Sequence, residues 1–163
     1  YRQPANLFVG EFLGSPAMNT VEATLTPNGE ASTVQSDGTD LVTIRTPATV
    51  DGETPPPVVA GFRPEDLTVS GSGDIALQAR VVEVEYQGDG NFVFLETDDL
   101  KPAERGDDAD DTVDLTVRTP VSVRPSPGEV VTLFIAPADV YLFDAESGDA
   151  IQVSPNAGPQ AAR

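Results

Sequence analysis

The side chains of this sequence that could carry chemistry are mainly carboxylates, and their densest run is the segment DDADD at residues 107–111. Carboxylate oxygens are the ligands that hard cations such as Ca²⁺ and Mg²⁺ prefer in proteins. The run lacks the glycine at the sixth position and the distal glutamate that an EF-hand loop requires. We therefore interpret it as a solvated acidic loop rather than as a cation site.

A second pair of carboxylates, Glu83 and Glu85, is separated by one residue within a stretch that alternates like a β-strand. This spacing places both groups on one strand face. A glycosidase needs two carboxylates about 5 to 10 Å apart across a cleft, usually contributed by different elements. Since nothing in the sequence marks such a cleft, the spacing indicates a pair at the surface.

Two further segments can be interpreted chemically or structurally. The segment GSG at residues 71–73 is too short to cradle a phosphate and lacks the GxxxxGK[ST] spacing, so it is interpreted as a loop. Arg63, Pro64 and Glu65 follow an apolar stretch at residues 58–62. The two charged groups beside this fixed proline either form an ion pair at a domain edge or orient the loop that follows.

The residue types that are missing exclude several classes of function. The 163 residues contain no histidine and no cysteine, which excludes Ser-His-Asp and Cys-His catalysis, imidazole or thiolate metal sites and disulfides. The 27 acidic and 9 basic residues give a formal charge of −18, the wrong sign for a nucleic-acid groove or an anionic membrane surface. No apolar run of about 18 residues, no signal peptide and no initiator methionine is present. The chain is therefore expected to begin inside a larger protein or to have been processed.

The distribution of valine, proline and glycine predicts an all-β domain. The 20 valines fall in short runs of period two, and 15 prolines and 14 glycines separate these runs. Many short strands at this spacing indicate a sandwich or a small barrel. The strands are predicted at residues 21–25, 41–45, 58–62, 79–86, 91–96, 112–118, 130–135, 140–143 and 151–153. Turns are predicted at residues 28–29, 37–38, 87–91 and 144–148.

Several stretches carry more detailed predictions. In the strand at residues 79–86, one face is predicted to carry Val82, Val84 and Tyr86 and the other Val81, Glu83 and Glu85. Both faces of the strand at 91–96 are expected to be buried, and the strand at 130–135 is expected to be central. A short helix is predicted at residues 4–13. The triple proline at 55–57 is interpreted as a stiff connector, and residues 98–111 as a polar, acidic loop.

The choice among charged residues resembles that of proteins from organisms that accumulate salt. Eight of the nine basic residues are arginine, and 16 aspartates outnumber 11 glutamates. At ordinary salt a net charge of this size destabilises the compact state, whereas at molar salt the Debye length is about 3 Å and the repulsion is screened. The composition therefore indicates a halophilic, archaeal source, with an acidic mesophilic domain as the alternative.

Four segments carry a family resemblance. They are PANLFVGEFLGSPAMN at residues 4–19, GFRPED at 61–66, VEYQG at 84–88, and PGEV at 127–130 followed by VYLFDAESG at 140–148. They resemble, in this order, segments of the C-terminal regulatory domain of sugar-importer ABC ATPases of the maltose and glycerol-phosphate types. The corresponding family patterns include P-x-N-x-F-V-A-x-F-[IL]-G-x-P-x-M-N, G-[IVF]-R-P-E-H, V-E-x-L-G and H-L-F-D-x-x-T-G. Here Gly10 replaces alanine, Asp66 replaces histidine and Gln87 replaces leucine, and both the acidic loop and the proline connector depart from the family pattern.

The resemblance implies an OB-like β-barrel of the transport-associated type, with additional strands and one short N-terminal helix. Residues 1–19 would be a helical connector from an ATPase domain, residues 20–153 the OB-like regulatory β domain, and residues 154–163 a disordered tail. The parent subunit would hydrolyse ATP with Mg²⁺ in the cytoplasm, at the inner face of the cell membrane. This chain has no Walker or signature motif, so we expect it not to be an enzyme and to bind no cofactor.

The resemblance also implies partners. In the maltose-type transporter the regulatory domains of two ATPase subunits meet, so we expect a homodimer, a contact with the chain's own ATPase domain, an indirect effect on permease subunits and no nucleic acid. The residues expected at the interface or regulatory surface are Arg63, Glu65, Asp66, Glu85, Phe143, Asp144 and Gly148. The alternative is that the residues at 63–66 and 143–148 only shape turns within one barrel. Three other functions remain as alternatives. They are an OB-type module that senses an oxyanion or another small solute, an oligonucleotide-binding barrel, and a carbohydrate-binding module, which the absence of tryptophan disfavours.

Overall fold

The chain is built from strands, as its sequence predicts. A computed structural model describes residues 17–28, 31–45, 57–69, 75–103 and 113–151. Within these ranges there are twelve β-strands and two single-turn 3₁₀ helices, Pro64–Asp66 and Pro137–Asp139. The strands are β1 (Asn19–Asn28), β2 (Ala31–Ser36), β3 (Thr39–Arg45), β4 (Pro57–Phe62), β5 (Leu67–Thr68), β6 (Ile75–Gln87), β7 (Gly90–Thr97), β8 (Lys101–Pro102), β9 (Val113–Thr119), β10 (Val130–Ile135), β11 (Tyr141–Asp144) and β12 (Ala150–Ile151).

The first sheet has the strand order β12-β11-β4-β1-β2-β3, and the short strand β8 also pairs with β1. Its pairs are antiparallel. Asp37 and Gly38 join β2 to β3 with φ angles of 48° and 81°. A two-residue type I′ turn requires positive φ at both of these positions. The predicted turn at residues 37–38 is therefore confirmed.

The second sheet has the order β5-β10-β6-β7-β9. β5 also contacts β9, so the sheet nearly closes into an OB-like barrel. β6 and β7 form a hairpin that turns at Gly88 and Asp89, within the predicted turn. This architecture agrees with the predicted all-β, OB-like class.

β6 changes its buried face partway along its length. From Ile75 to Val81 the odd-numbered side chains are buried, but the pairing with β7 shifts register between Val81 and Glu83. A bulge of this kind inserts one residue, and side chains beyond it change faces. The predicted uniform alternation at residues 79–86 is therefore wrong. Val82 and Tyr86 are 53% and 64% exposed, and only Val84 of that face packs against the core.

One other prediction about burial needs correction, and one prediction about position is confirmed. β7 buries Val93 and Leu95, but Phe92 and Phe94 on its other face are only half-buried. β10 lies between β5 and β6, as predicted for a central strand, yet Val130 is 62% exposed. Both strands therefore bury one face more completely than the other.

The structure also contains strands that the sequence did not predict, namely β2, β5 and β8. β4 begins at Pro57, so the third proline of the predicted connector belongs to a strand. The predicted acidic loop contains the fully buried Leu100, and Lys101–Pro102 pairs with β1. The helix at 4–13, Gly29 of the first turn, the prolines at 55–56, the GSG segment at 71–73, the acidic run at 107–111, residues 152–153 and the tail at 154–163 lie outside the described residues.

One main core joins the two sheets. Val21 and Leu25 of β1, Phe62 of β4, Leu115 of β9 and Leu133 of β10 all belong to it, each at most 1% exposed. Among the residues that the structure describes, no helix is long and apolar enough to span a membrane.

Candidate functional site

Three of the segments that carry the family resemblance meet in the first sheet. β4, which ends in the segment at residues 61–66, lies between β1 and β11. On one side Asn19 pairs with Phe62, and on the other Tyr141 pairs with Gly61. Segments more than 40 residues apart in sequence therefore converge at the end of β4. We call this region the motif junction and define it as residues 18–19, 61–66 and 141–143.

Gly61 permits the closest packing in the motif junction. A Cβ atom at this position would lie 2.5 Å from the Met18 sulfur and 3.2 Å from a ring carbon of Phe143. Met18, Val59 and Phe143 form a small buried cluster separate from the main core. The side chains of Met18 and Phe143 fill the space that a side chain at position 61 would occupy. Met18, Gly61 and Phe143 belong to three different motif segments, so all three segments meet in this one contact.

Asn19 links the two sheets through its side-chain amide. Its Nδ2 donates to the carbonyl oxygen of Thr116 at 2.9 Å, and its Oδ1 accepts from the backbone N–H of Thr116 at 2.8 Å. Thr116 lies in β9, the edge strand of the second sheet. The side chain thus occupies the edge of β9 as a neighbouring strand would. Sequence reasoning did not single out Asn19, although it ends the first motif.

Arg63 is buried in the motif junction, with 5% of the residue exposed. Its guanidinium carbon lies 5.6 Å from the centre of the Tyr141 ring, a cation–π distance. Phe143 is fully buried. The prediction that these two residues lie at the surface is therefore wrong. Both are needed inside the fold, where the aromatic rings of β11 pack against β4 and the segment that follows it.

Glu65 is exposed and Asp66 is half-buried in the 3₁₀ turn after Arg63. Burial, together with the nearby charges of Asp139 and Glu65, raises the pKa of Asp66 to about 6, against the opposing effect of Arg63. A carboxyl group with this pKa is partly protonated near neutral pH. Asp66 is thus a group of the motif junction whose charge changes close to neutral pH.

Asp144 and Gly148 form a turn at the other end of β11. The Asp144 carboxylate accepts backbone N–H groups of Ser147 at 2.8 Å and Glu146 at 2.9 Å. These bonds lower the pKa of Asp144 below its usual value. Gly148 has a φ of 75° and donates its N–H to the Asp144 carbonyl oxygen at 2.8 Å. The predicted turn at residues 144–148 is confirmed, and its two motif residues shape it.

The predicted interface residues do not form one patch. β4 and β11 are antiparallel, with Tyr141 opposite Gly61 and Asp144 opposite Val58. The 63–66 segment therefore lies at one end of this strand pair and the 144–148 turn at the other, about 16 Å away at 3.3 Å per residue. Glu85 belongs to the second sheet, on the outer face of β6.

Asp66 makes stability depend on pH. Its folded pKa is above the ordinary value, so the folded state binds the proton more tightly, and stability rises as the pH falls from about 6 towards 4. The raised pKa corresponds to about 3 kcal/mol in full, which we reduce to about 1 kcal/mol because the group is partly solvated. Asp66→Asn should therefore raise the Tm at pH 7.5 by about 2 to 4 °C and leave it unchanged at pH 4, as measured by thermal circular dichroism.

The matched control for this substitution is Asp114→Asn, which removes the same charge from an exposed position on β9. It should change the Tm by less than Asp66→Asn at pH 7.5. If both variants shift the Tm equally, or if the effect of Asp66→Asn is the same at pH 4 and 7.5, the local environment of Asp66 is not the cause.

Two family models match this chain. The model described as the TOBE domain matches residues 60–143, and the model described as the MalK OB fold domain matches residues 14–67. The two matches overlap at residues 60–67, which include Gly61 and Arg63 of the motif junction. Together they cover the second sheet and all of the first except the end of β11 and β12.

The chain is also similar to ATP-binding proteins of transport systems. It is 40% identical over 98 residues to the alpha-glucoside transport ATP-binding protein AglK of Rhizobium meliloti, a match covering 59% of this chain and 26% of that protein. It is 34% identical over 155 residues to the xylose/arabinose import ATP-binding protein XacK of Haloferax volcanii, covering 93% of this chain and 37% of that protein. The chain thus spans well under half the length of these curated relatives.

A solved structure supports the fold. The molybdate-bound form of the cytoplasmic molybdate-binding protein ModG superimposes with a TM-score of 0.52 at 16% sequence identity, covering 76% of this chain and 94% of that one. At this identity the likeness concerns the fold alone. The family models show that the chain belongs to the TOBE-domain family and combines a MalK-type OB fold with a TOBE domain.

Proposed function

We propose that this β domain is the regulatory and dimerisation domain of an ATP-binding subunit in an ABC importer of sugars or related solutes. The observation that carries the proposal is the contiguous match of the MalK OB fold and TOBE models over residues 14–143. The importer ATP-binding proteins that resemble the chain support the same role. In this role the domain belongs to a cytoplasmic subunit that docks on permease subunits at the membrane, and ATP with Mg²⁺ binds to the subunit's ATPase domain.

The geometry of the motif residues supports a mechanical role. Gly61, Phe143 and Asn19 serve packing and the connection between the sheets, and Asp144 and Gly148 shape a turn. A rigid domain of this kind can hold two subunits together while their ATPase domains separate and close. A contact that persists through both states keeps the mobile halves at high effective concentration.

We place the dimer contact at the 144–148 turn. Ala145, Glu146 and Ser147 are all exposed there, whereas Arg63 and Pro64 at the other end of the strand pair are buried. The contact would be two-fold and isologous, so that each turn meets the same turn of the second copy. It would be modest in area and partly polar, as suits a hinge between moving subunits.

Replacement of Glu146 by the longer arginine should disrupt this contact. In sedimentation velocity at high micromolar concentration and molar KCl, the chain should sediment as a dimer, and Glu146→Arg should weaken the dimer at least about tenfold, because two longer and bulkier side chains no longer fit where the two turns pack together. In the full-length subunit expressed with its permease, the same substitution should lower uptake of labelled sugar in proportion.

Glu65→Arg is the matched control, since Glu65 is also exposed but lies at the opposite end of the strand pair. It changes the net charge equally and should leave both the dimer and the uptake intact. A chain that stays monomeric in molar KCl would remove autonomous dimerisation from this domain. If Glu65→Arg dissociates the dimer and Glu146→Arg does not, the contact lies at the 63–66 end of the strand pair instead.

A further inference from the structure

A pocket of about 360 Å³ opens on the outer face of the second sheet, away from the motif junction. It lies where β6, β7 and β9 run side by side near the β6–β7 turn. Its walls include Glu85, Gln87, Asp89, Phe92, Phe94 and Arg118. Ligand pockets commonly measure about 300 to 1,000 Å³, so this one suits a ligand of one or two small rings.

The strand register brings the lining side chains together. Glu85 pairs with Phe92, and Phe92 pairs with Arg118 on its other side, so the three side chains lie in one row across the face. Phe94 is two residues from Phe92 on the same face, and both rings are half-buried. The two phenylalanines therefore present partly open aromatic surface between polar side chains.

The polar groups of the pocket supply both donors and acceptors. Arg118 Nη2 donates to Asp89 Oδ2 at 3.0 Å, and the Arg118 guanidinium carbon lies 6.0 Å from the centre of the Phe92 ring. This pairing holds the guanidinium on the β9 side of the pocket, whereas the Glu85 carboxylate and the Gln87 amide come from β6, on the other side of β7. A guanidinium only donates, a carboxylate only accepts, and an amide does both.

The charge and the donor set together select the class of ligand. The lining carries Glu85 and Asp89 at −1 each and Arg118 at +1, a net charge of −1 within a chain of −18. This field disfavours an anion. A simple cation would use only the acceptors, whereas a sugar hydroxyl donates and accepts at once. The C–H face of a sugar ring can also pack on an aromatic face, which is apolar.

We propose that this pocket binds a neutral sugar or polyol, with Glu85 and Arg118 as hydrogen-bonding partners and Phe92 and Phe94 as the apolar floor. The site lies in a different sheet from the 144–148 turn, so the inference adds a ligand site to the domain and does not depend on the dimer contact. An imported solute in the cytoplasm would then have direct access to the domain.

The test is titration of the isotope-labelled chain with D-glucose and D-xylose, followed by NMR of backbone amides and phenylalanine rings. Both sugars should shift the signals of residues 85–94 and 118, with half-saturation at millimolar concentration. sn-Glycerol 3-phosphate and L-arginine, as an anionic and a cationic probe, should shift these signals much less. Absence of sugar-induced shifts up to 50 mM, or stronger shifts with either charged probe, would overturn the proposal.

Two variants make the assignment specific. Glu85→Ala should weaken sugar binding at least about tenfold through loss of hydrogen bonds to a charged group. Phe94→Leu keeps apolar volume but removes the aromatic face, and it should also weaken binding. Glu83→Ala is the matched control, because Glu83 is exposed on the same strand face but does not line the pocket. Equal weakening by Glu83→Ala and Glu85→Ala would contradict a specific site.

Discussion

Withdrawal of salt should unfold this chain. On transfer from 3 M to 0.05 M KCl at pH 7.5, we expect the far-ultraviolet circular dichroism signal of the sheets to be lost at 25 °C. The cause is the formal charge of −18, carried by 27 acidic and only 9 basic residues. We propose that the surface is adapted to molar salt, which screens this charge.

An estimate of the self-repulsion shows that the effect is large enough. A folded chain of this length has a radius of about 20 Å. As a uniformly charged sphere with a charge of −18, it has a self-repulsion on the order of 14 kcal/mol at 0.05 M salt and about 3 kcal/mol at 3 M. If the same change of salt lowers the self-repulsion of the unfolded chain by two thirds as much, screening stabilises the folded state by about 4 kcal/mol. That approaches the whole stability of many domains.

The ion pairs of the structure compensate little of this repulsion. Arg118 bonds to Asp89, and Arg80 bonds to Glu96, but the arginine side chains of these pairs are 47% and 60% exposed. Exposed pairs of this kind contribute about 0.2 to 1 kcal/mol each. These two pairs therefore offset only a small part of the repulsion, and we expect screening by salt to offset much of the rest.

A charge-neutralised variant separates screening from general salt effects on hydrophobic burial. Glu83→Gln, Asp114→Asn and Glu146→Gln together remove three exposed charges without altering the core. The triple variant should unfold at a lower KCl concentration than the original chain. An unchanged Tm between 3 M and 0.05 M KCl would refute the salt requirement, and equal midpoints for the two chains would show that charge repulsion is not its cause.

The sequence predicted the strands whose side chains alternate clearly and missed those whose side chains do not. β9 has Leu115 and Val117 buried between the exposed Asp114 and Arg118, and its prediction is confirmed. β2 also buries alternate residues, but two of them, Ser32 and Ser36, are polar. Ser36 donates its hydroxyl to the Glu22 carbonyl oxygen at 2.7 Å. A serine can occupy a buried position when its hydroxyl is hydrogen-bonded. Because two of the buried residues of β2 are serines, the sequence shows no alternation of hydrophobic and polar residues from which the strand could be predicted.

The bulge in β6 escaped prediction for a different reason. Val81, Val82 and Val84 are all apolar, so the sequence fits either face. Only the pairing with β7, which shifts between Val81 and Glu83, decides which valine is buried. The choice therefore depends on contacts between strands, which the local sequence does not specify. The same register shift leaves Glu83 and Glu85 together on the outer face of β6.

The family resemblance located the motif residues but not their positions in space. It marked Arg63 and Phe143, which the structure buries, and Asp144, which shapes a turn. A motif shows that a residue type is required, and packing can require it as strongly as binding does. The pocket beside Glu85 depends on register across three strands, so no single segment of the sequence could reveal it.

Replacement of Asn19 should weaken the connection between the two sheets and lower the stability of the fold. Asn19→Ala removes both hydrogen bonds to Thr116 and leaves a partly buried N–H and C=O of β9 without these partners. We expect a loss of about 2 to 4 kcal/mol in the free energy of unfolding, which lowers the Tm by about 5 to 12 °C for a chain of this size. Asn19→Asp should not rescue stability, because a carboxylate can accept from the Thr116 N–H but repels its carbonyl oxygen.

Hydrogen exchange provides a local measure of the same contact. In molar KCl, the Thr116 amide proton should exchange at least about tenfold faster in Asn19→Ala than in the original chain. Amides in the centre of β7 should exchange faster only by the factor that the loss of global stability predicts. Gln78→Ala is the control, since it removes an exposed hydrogen bond of 2.9 Å between Gln78 and Thr132 within the second sheet. It should change stability by about 0.5 kcal/mol at most. A cost for Asn19→Ala as small as this, with unchanged Thr116 exchange, would show that main-chain packing alone holds β1 against β9 and that the asparagine of the first motif is kept for another reason.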